Sequence, residues 1–114
     1  MDTQMMSPDS TRASQAVAVL KAVADPTRYR LLWALSRQEL PVSALAELLG
    51  THVAATSQHL ARLRAVGLVC PRREGTRIYY RTGPADARRL LEGALLVAQA
   101  QGDQVALGTA DSGT

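Results

Sequence analysis

The segment LGTHVAATSQHLARLRAVGLV, residues 49–69, constrains the fold of this chain more than any other. Its apolar residues recur at helical spacing, and Gly67 can end the helix. The preceding segment, ELPVSALAELLG, has the same spacing and ends at Gly50. Two helices joined by a turn of three or four residues that begins at glycine form a helix-turn-helix. The polar residues in the first turns of the second helix raise the question of what they bind.

The same periodicity predicts two earlier helices and one later helix. The first runs from about Thr11 to Ala24. The second starts in ADPTRYRLLWAL, where Asp25 can cap free amides and Pro26 suits the first helical position. The last runs from about Pro84 to Gln101 and carries a long apolar stripe. Because no later segment can cover that stripe, we expect an exposed apolar patch there.

Between the last two helices, LVCPRREGTRIYYRT has the pattern of a hairpin. Strand-like runs at Leu68–Arg72 and Arg77–Arg81 flank REGT. Gly75 lies at the tip, where a tight turn favours positive φ. Pro71 cannot donate to a sheet ladder, so the first strand must lie at an edge or be broken there. A hairpin after a helix-turn-helix is a wing, which predicts a mainly α fold, a winged helix-turn-helix with a small β-hairpin.

The length and termini indicate one domain with two tails. A chain of 114 residues can build one core, and we place the domain at 12–102. Residues 1–11 and 103–114 are small and polar without a strong period, which predicts flexible tails. No apolar run approaches the roughly 20 residues of a membrane span. A single cysteine, Cys70, excludes an intrachain disulfide and suits a reducing cytosol, so we expect a cytoplasmic protein.

The positive charge is concentrated in one segment. From Arg62 to Arg81 there are six arginines and one acid, Glu74, a net charge of +5, whereas the seven bases and nine acids elsewhere give −2. A cationic face confined to one segment is typical of a surface that binds a polyanion. A solvated arginine-rich surface is the alternative that charge alone leaves open.

The order of elements resembles the ArsR/SmtB family of bacterial winged-helix transcription regulators. The matching segments are ADPTRYRLLWAL, LPVSALAELLG, TSQHLARLRAVGLV and REGTRIYY, within a similarity that covers about residues 14–101. The resemblance implies a homodimer that pairs through the first and last helices, 12–24 and 84–101. It also implies that the fourth helix enters the DNA major groove. The residues expected in the dimer interface are Val17, Leu20, Leu91, Leu95 and Ala98.

The resemblance also indicates which side chains would face DNA. Those near the start of the fourth helix would reach base edges, and the wing arginines would follow phosphates. The expected residues are Thr51, His52, Thr56, Ser57, Gln58, His59, Arg62, Arg72, Arg73 and Arg77. Where the family commonly has Ser-Gln-Ser, this chain has His52, Val53 and Ala54. We therefore expect base readout to depend on thymine methyl contacts and DNA shape.

Metal-sensing relatives use one of two main sites, and neither can form here. A cysteine pair on the third helix is replaced by Pro41 and Ser43. The ligand positions of the last helix hold Asp86, Arg88, Gln99 and Gly102, of which only the aspartate is a ligand. What remains is a weak nickel or zinc site of oxygen and nitrogen ligands, for which His52 and Asp86 are the candidates.

The sequence therefore predicts a sequence-specific DNA-binding regulator, a repressor by family resemblance, with an atypical or weak metal response. The alternatives are a regulator that has lost metal sensing and responds to a protein partner or small molecule, or an activator or co-regulator. A winged-helix module that binds only a protein partner is a further alternative. No catalytic motif supports an enzyme.

Overall fold

The computed structural model describes residues 9–83 and 87–112, with side chains described as far as Gly102. The elements are α1 Ser10–Val23, α2 Pro26–Leu35, β1 Leu40–Pro41, α3 Val42–Leu49, α4 Val53–Ala65, β2 Val69–Glu74, β3 Arg77–Thr82 and α5 Ala87–Ser112. This order confirms the predicted winged helix-turn-helix. In the described part of the chain, no helix combines the length and hydropathy needed to cross a membrane.

The helix ends follow local signals. Asp25 accepts hydrogen bonds from the backbone amides of Thr27 and Arg28, both at 3.0 Å, and Pro26 begins α2 as predicted. Gly50 ends α3 with φ of +66°, a left-handed conformation that favours glycine. Local residues therefore set the start of α2 and the end of α3.

Both predicted tails differ from the structure. α5 continues to Ser112, so the predicted flexible tail is helical over 103–112. An established helix gains one hydrogen bond per added residue, and alanine and leucine in this segment favour its extension. α1 begins at Ser10, inside the predicted N-terminal tail, and the rest of that tail, residues 1–8, lies outside the described residues.

The wing is part of a three-stranded antiparallel sheet of order β1-β3-β2. The predicted hairpin forms, with Val69 opposite Thr82 and Glu74 opposite Arg77. β2 is an edge strand, which confirms the position predicted for Pro71, and Gly75 has φ of +63° at the tip. β1 was not predicted, because it has two residues and no periodicity of its own. It attaches the hairpin to the start of α3.

The core surrounds α2, which contacts each of the other four helices. The fully buried leucines of this core include Leu31 and Leu32 of α2 and Leu60 and Leu63 of α4. Leu91 of α5 belongs to the same core and is 0% exposed, so its prediction as a dimer-interface residue is wrong. The hydroxyl of Tyr29 donates to the carbonyl of Leu91 at 2.6 Å, which fastens α5 to α2. The physical reason is that the first turns of α5 still lie over the core of their own subunit.

Candidate nucleic-acid interface

α4 presents an exposed polar face. Ser57, Gln58 and Arg62 are exposed, and the described residues offer none of them a hydrogen bond or an ion pair. His52 precedes the helix, is exposed and forms no side-chain cap, while Thr51 is half-buried. Uncapped amides leave partial positive charge at the start of a helix, which favours an anionic ligand. These side chains are therefore free to donate to another molecule.

Thr56 does not belong to that face. Its side chain is 0% exposed, and its Oγ1 donates to the carbonyl of His52 at 2.9 Å. Thr56 lies four residues before Leu60 and seven before Leu63, on the side of α4 that packs into the core. Its prediction as a DNA contact is wrong, and helical spacing alone could have shown this. Val53, three residues before Thr56 on the same helix, is instead 51% exposed.

His59 faces its own subunit. Its Nδ1 lies 3.2 Å from Nη1 of Arg28 and 3.9 Å from a carboxylate oxygen of Asp25. Arginine only donates, so Nδ1 is the acceptor in this hydrogen bond. These contacts orient the ring toward α2 and give His59 a structural role. Its contact with DNA stays a prediction.

Arg28 connects three helices, a role that the sequence analysis did not predict. It is only 8% exposed, and its Nε and Nη2 donate to the carbonyls of Ala22 and Lys21 in the last turn of α1. Its Nη1 reaches His59 on α4. The backbone amide of Arg28 donates a hydrogen bond to the carboxylate of Asp25, and this bond is the main cause of the lowered pKa of Asp25. An arginine on an otherwise apolar helix face was the signal, but its partner is 31 residues away.

The outer face of the wing neutralises its own arginine. Arg72 donates to Glu39 from Nε and Nη2, at 3.0 and 2.6 Å, and to Glu74 from Nη1 at 2.7 Å. Its guanidinium also lies 4.9 Å from the ring centre of Tyr79. These hydrogen bonds hold the pKa of Glu39 below its usual range and raise that of Arg72. Each guanidinium nitrogen of Arg72 donates within the subunit, which leaves two of its five N–H groups for another ligand, and its contact with phosphate stays a prediction.

Arg73 and Arg77 are exposed and make no ion pair or hydrogen bond with a described residue. Arg77 lies beside the start of α4. Together with Val53 and Ser57 of that helix it lines a surface pocket of about 320 Å³. Ser43, from the first turn of α3, lines the same pocket. The fold thus brings an unpaired guanidinium of the wing tip to the exposed end of the recognition helix.

The family's metal sites do not fit the residues that the structure describes. Over 9–83 and 87–102 there is no group of three His, Cys, Asp or Glu side chains able to hold an ion. Arg88, at a family ligand position, pairs instead with Glu92 at 3.1 Å. His52 belongs to no such group in this range, and Asp86 lies outside the described residues.

A second exposed surface lies on α1 and α5 and is apolar. Val17, Leu20, Leu95 and Ala98, all predicted in the dimer interface, are exposed in the subunit. We call these four residues the α1–α5 surface; on α5 the side chains of Leu96 and Val97 are also exposed. A groove of about 580 Å³ between the two helices is lined mainly by apolar side chains, among them Leu20 and Val97. An apolar surface of this kind is typical of a site that packs against another protein.

Residues 23–70 match a family model described as a helix-turn-helix domain. The chain is 42% identical over 86 residues to the HTH-type transcriptional regulator KmtR of Mycobacterium tuberculosis, covering 75% of this chain and 66% of that protein. It is 42% identical to the nodulation protein NolR of Rhizobium meliloti, over 73% of this chain and 67% of that one.

Among solved structures, the homodimeric winged helix-turn-helix DNA-binding domain of a possible ArsR-family regulator from Mycobacterium bovis has a TM-score of 0.74. It is 35% identical, over 86% of this chain and 93% of that one.

Proposed function

This chain belongs to the ArsR/SmtB family of winged helix-turn-helix transcriptional regulators, and we propose that it acts as a homodimeric repressor in the cytoplasm. The observation that carries the proposal is the uncommitted polar face of α4 beside the unpaired Arg77 of the wing. Ser57 and Gln58 have the hydrogen-bonding groups that read base edges. Arg77 supplies a phosphate contact that carries affinity without sequence information.

The test is selection from a random duplex library with the purified chain, followed by fluorescence anisotropy on the selected and a scrambled duplex. We expect tighter binding to the selected duplex and a steep loss of affinity with salt. A reporter placed behind the selected duplex should then be expressed less when the protein is present. Equal affinity for both duplexes would contradict sequence-specific regulation, and higher reporter expression would indicate an activator.

Dimerisation supports this function because a two-fold dimer presents two α4 helices to a palindromic site. We propose that the α1–α5 surface forms the interface, with Val17, Leu20, Leu95 and Ala98 at its centre. A similar solved structure is a homodimeric domain, and Val17, Leu20 and Leu95 of this surface are large apolar side chains that are exposed in the subunit. Light scattering of the purified chain is the direct measurement, and a monomer at micromolar concentration would contradict it.

The candidate effectors are a weakly bound metal ion, a small molecule and a protein co-regulator. Since the described residues lack a metal cluster, we propose that nickel or zinc, where it binds, does so weakly through His52 and carboxylates. Calorimetric titration of wild type and His52→Ala with nickel tests this. Unchanged affinity in the variant removes His52 as a ligand. A wild-type chain that binds neither metal favours control by a small molecule or a protein co-regulator.

A further inference from the structure

A second cleft lies between α4 and the inner face of the wing. In the sheet register Pro71 is opposite Tyr80, and Arg73 is opposite Ile78. Since alternate residues of a strand share a face, these four side chains lie on one side of the hairpin. Arg64, from the last turn of α4, completes the lining of a cleft of about 270 Å³. One guanidinium from the helix and one from the wing therefore line the same concave surface.

The spacing along α4 explains why Arg64 faces the wing. Val53, Ser57 and Arg64 are four and seven residues apart, which places them on one side of a helix. The first two line the wing-tip pocket, and Arg64 lines the second cleft. Ile78 lines both and so lies between them. The wing thus covers one side of α4, with a concave surface on either side of Ile78.

The charges in this cleft are not compensated by the described residues. Arg64 and Arg73 are exposed and have no hydrogen-bonding or ion-pair partner there, whereas Arg72, on the opposite face of the wing, bonds two carboxylates. Two like charges facing one cleft repel each other unless an anion lies between them. The cleft is far larger than the roughly 30 Å³ that a water molecule occupies in the liquid, so a phosphate group can enter it.

We propose that Arg64 and Arg73 together bind one phosphate of the DNA backbone, on the strand that passes between α4 and the wing. This inference rests on the proposed function. In B-form DNA a single phosphate strand separates each major groove from the next minor groove, so a helix in the major groove and a wing beside it straddle that strand. Guanidinium groups suit this ligand, because their planar donors match phosphate oxygens in pairs.

The test compares the salt dependence of DNA binding for wild type, Arg64→Ala, Arg73→Ala and the double variant, using a labelled duplex in anisotropy. The slope of log K against log salt is about −0.9 per neutralised phosphate, hence about −1.8 for one cleft in each subunit of a dimer. We expect each single variant to weaken selected and scrambled duplexes alike. If both arginines hold one phosphate, the double variant should flatten the slope by about 1.8.

Several outcomes would overturn the proposal. A double variant that flattens the slope by about 3.6 would mean that the arginines bind separate phosphates. Wild-type affinity of Arg64→Ala for both duplexes would mean that this residue does not contact the backbone, because its loss should weaken binding even while Arg73 still holds the phosphate. Arg30→Ala, which removes an exposed arginine from α2, is the matched control and should keep the wild-type slope. A wild-type chain that binds no duplex would instead contradict the proposed function itself.

A free anion is the other source of the same chemistry. Calorimetric titration of the full chain with inorganic phosphate distinguishes it. Saturable phosphate binding that Arg64→Ala abolishes, together with a wild-type salt slope of DNA binding in the double variant, would assign the cleft to a small phosphorylated molecule and overturn the backbone proposal. Arg64→Lys keeps the charge and should recover most of the DNA affinity that Arg64→Ala loses, since the attraction to phosphate depends mainly on charge. Matching unfolding temperatures would confirm that the variants fold.

Discussion

The two exposed surfaces of this protein are built on different physical principles. The surface formed by α4 and the wing depends on where charges are left unpaired. On this surface Arg72 forms ion pairs with Glu39 and Glu74, whereas Arg73 and Arg77 have no acidic partner among the described residues. The α1–α5 surface depends instead on apolar area, and no single hydrogen bond defines it. Charge placement therefore determines which DNA contacts are available, while exposed area determines where a second subunit can pack.

The two surfaces are joined through Arg28. It bonds the last turn of α1, which belongs to the apolar surface, and His59, which lies on the recognition helix. Substitutions on each surface test these differences, and Arg28→Ala tests how much this connection contributes to the stability of the fold.

The largest effect is expected from Leu95→Asp, because it alters the apolar surface. Leu95 is 47% exposed in the subunit, and in a dimer each copy would bury an unpaired carboxylate. Such burial costs at least about 4 kcal/mol. The dimer dissociation constant should rise by about 1000-fold or more, as measured by light scattering.

Leu48→Asp is the matched control for this change. Leu48 is 58% exposed on α3, outside the α1–α5 surface, and its substitution should leave the dimer intact. If Leu95→Asp remains dimeric, or if both variants dissociate equally, the apolar surface has been placed wrongly.

The next effect is on stability, through Arg28→Ala. The carbonyls of Lys21 and Ala22 would lose a buried donor, so we expect the free energy of unfolding to fall by about 2–3 kcal/mol. Arg30→Ala, on the exposed side of the same helix, should change it by less than about 0.5 kcal/mol. Urea denaturation measures both. Similar values for the two variants would mean that Arg28 does not join the surfaces.

Much of this architecture could be predicted from local sequence, and the exceptions share one cause. Apolar periodicity, the cap at Asp25 and glycine at positions 50 and 75 predicted five helices and the hairpin. Leu91 was misassigned because α5 runs past the core. Burial along its stripe therefore depends on where other elements end. The same limitation applies to β1, which exists only because β3 lies beside it.

The functional residues divide in the same way. The exposure of Gln58 and Ser57 follows from helical spacing, and the burial of Thr56 could have been read from the same spacing. The engagement of Arg72 could not be predicted, because Glu39 is 33 residues away and meets it only in the folded sheet. Charge counting indicates that a surface is cationic, but not which arginines remain unpaired.

A smaller effect separates the roles within the charged surface. Gln58→Ala should reduce discrimination between selected and scrambled duplexes by roughly 1–3 kcal/mol, because it removes a base contact. Arg77→Ala should weaken both duplexes alike and flatten the salt slope, because it removes a phosphate contact. Anisotropy over a salt series measures both quantities. Equal effects of the two variants on both duplexes would show that α4 is not the reader.

The smallest effect is expected from Arg72→Ala, which tests whether an internally paired arginine differs from an unpaired one. Because Arg72 is held by Glu39 and Glu74, its loss should change the salt slope less than Arg77→Ala does. The contribution of Arg72 should appear instead in the pH dependence of stability. Its hydrogen bonds lower the pKa of Glu39 in the folded chain below the ordinary value of 4.5. The pairing therefore stabilises the fold fully above that value and is lost as the pH falls through the lowered pKa. Wild type and Arg72→Ala should thus differ most in unfolding temperature near pH 7 and converge toward about pH 3, while Asp25 acts equally in both. A gap that stays constant on acidification would mean that Arg72 is not paired with Glu39 in solution, and would return it to the residues available to DNA.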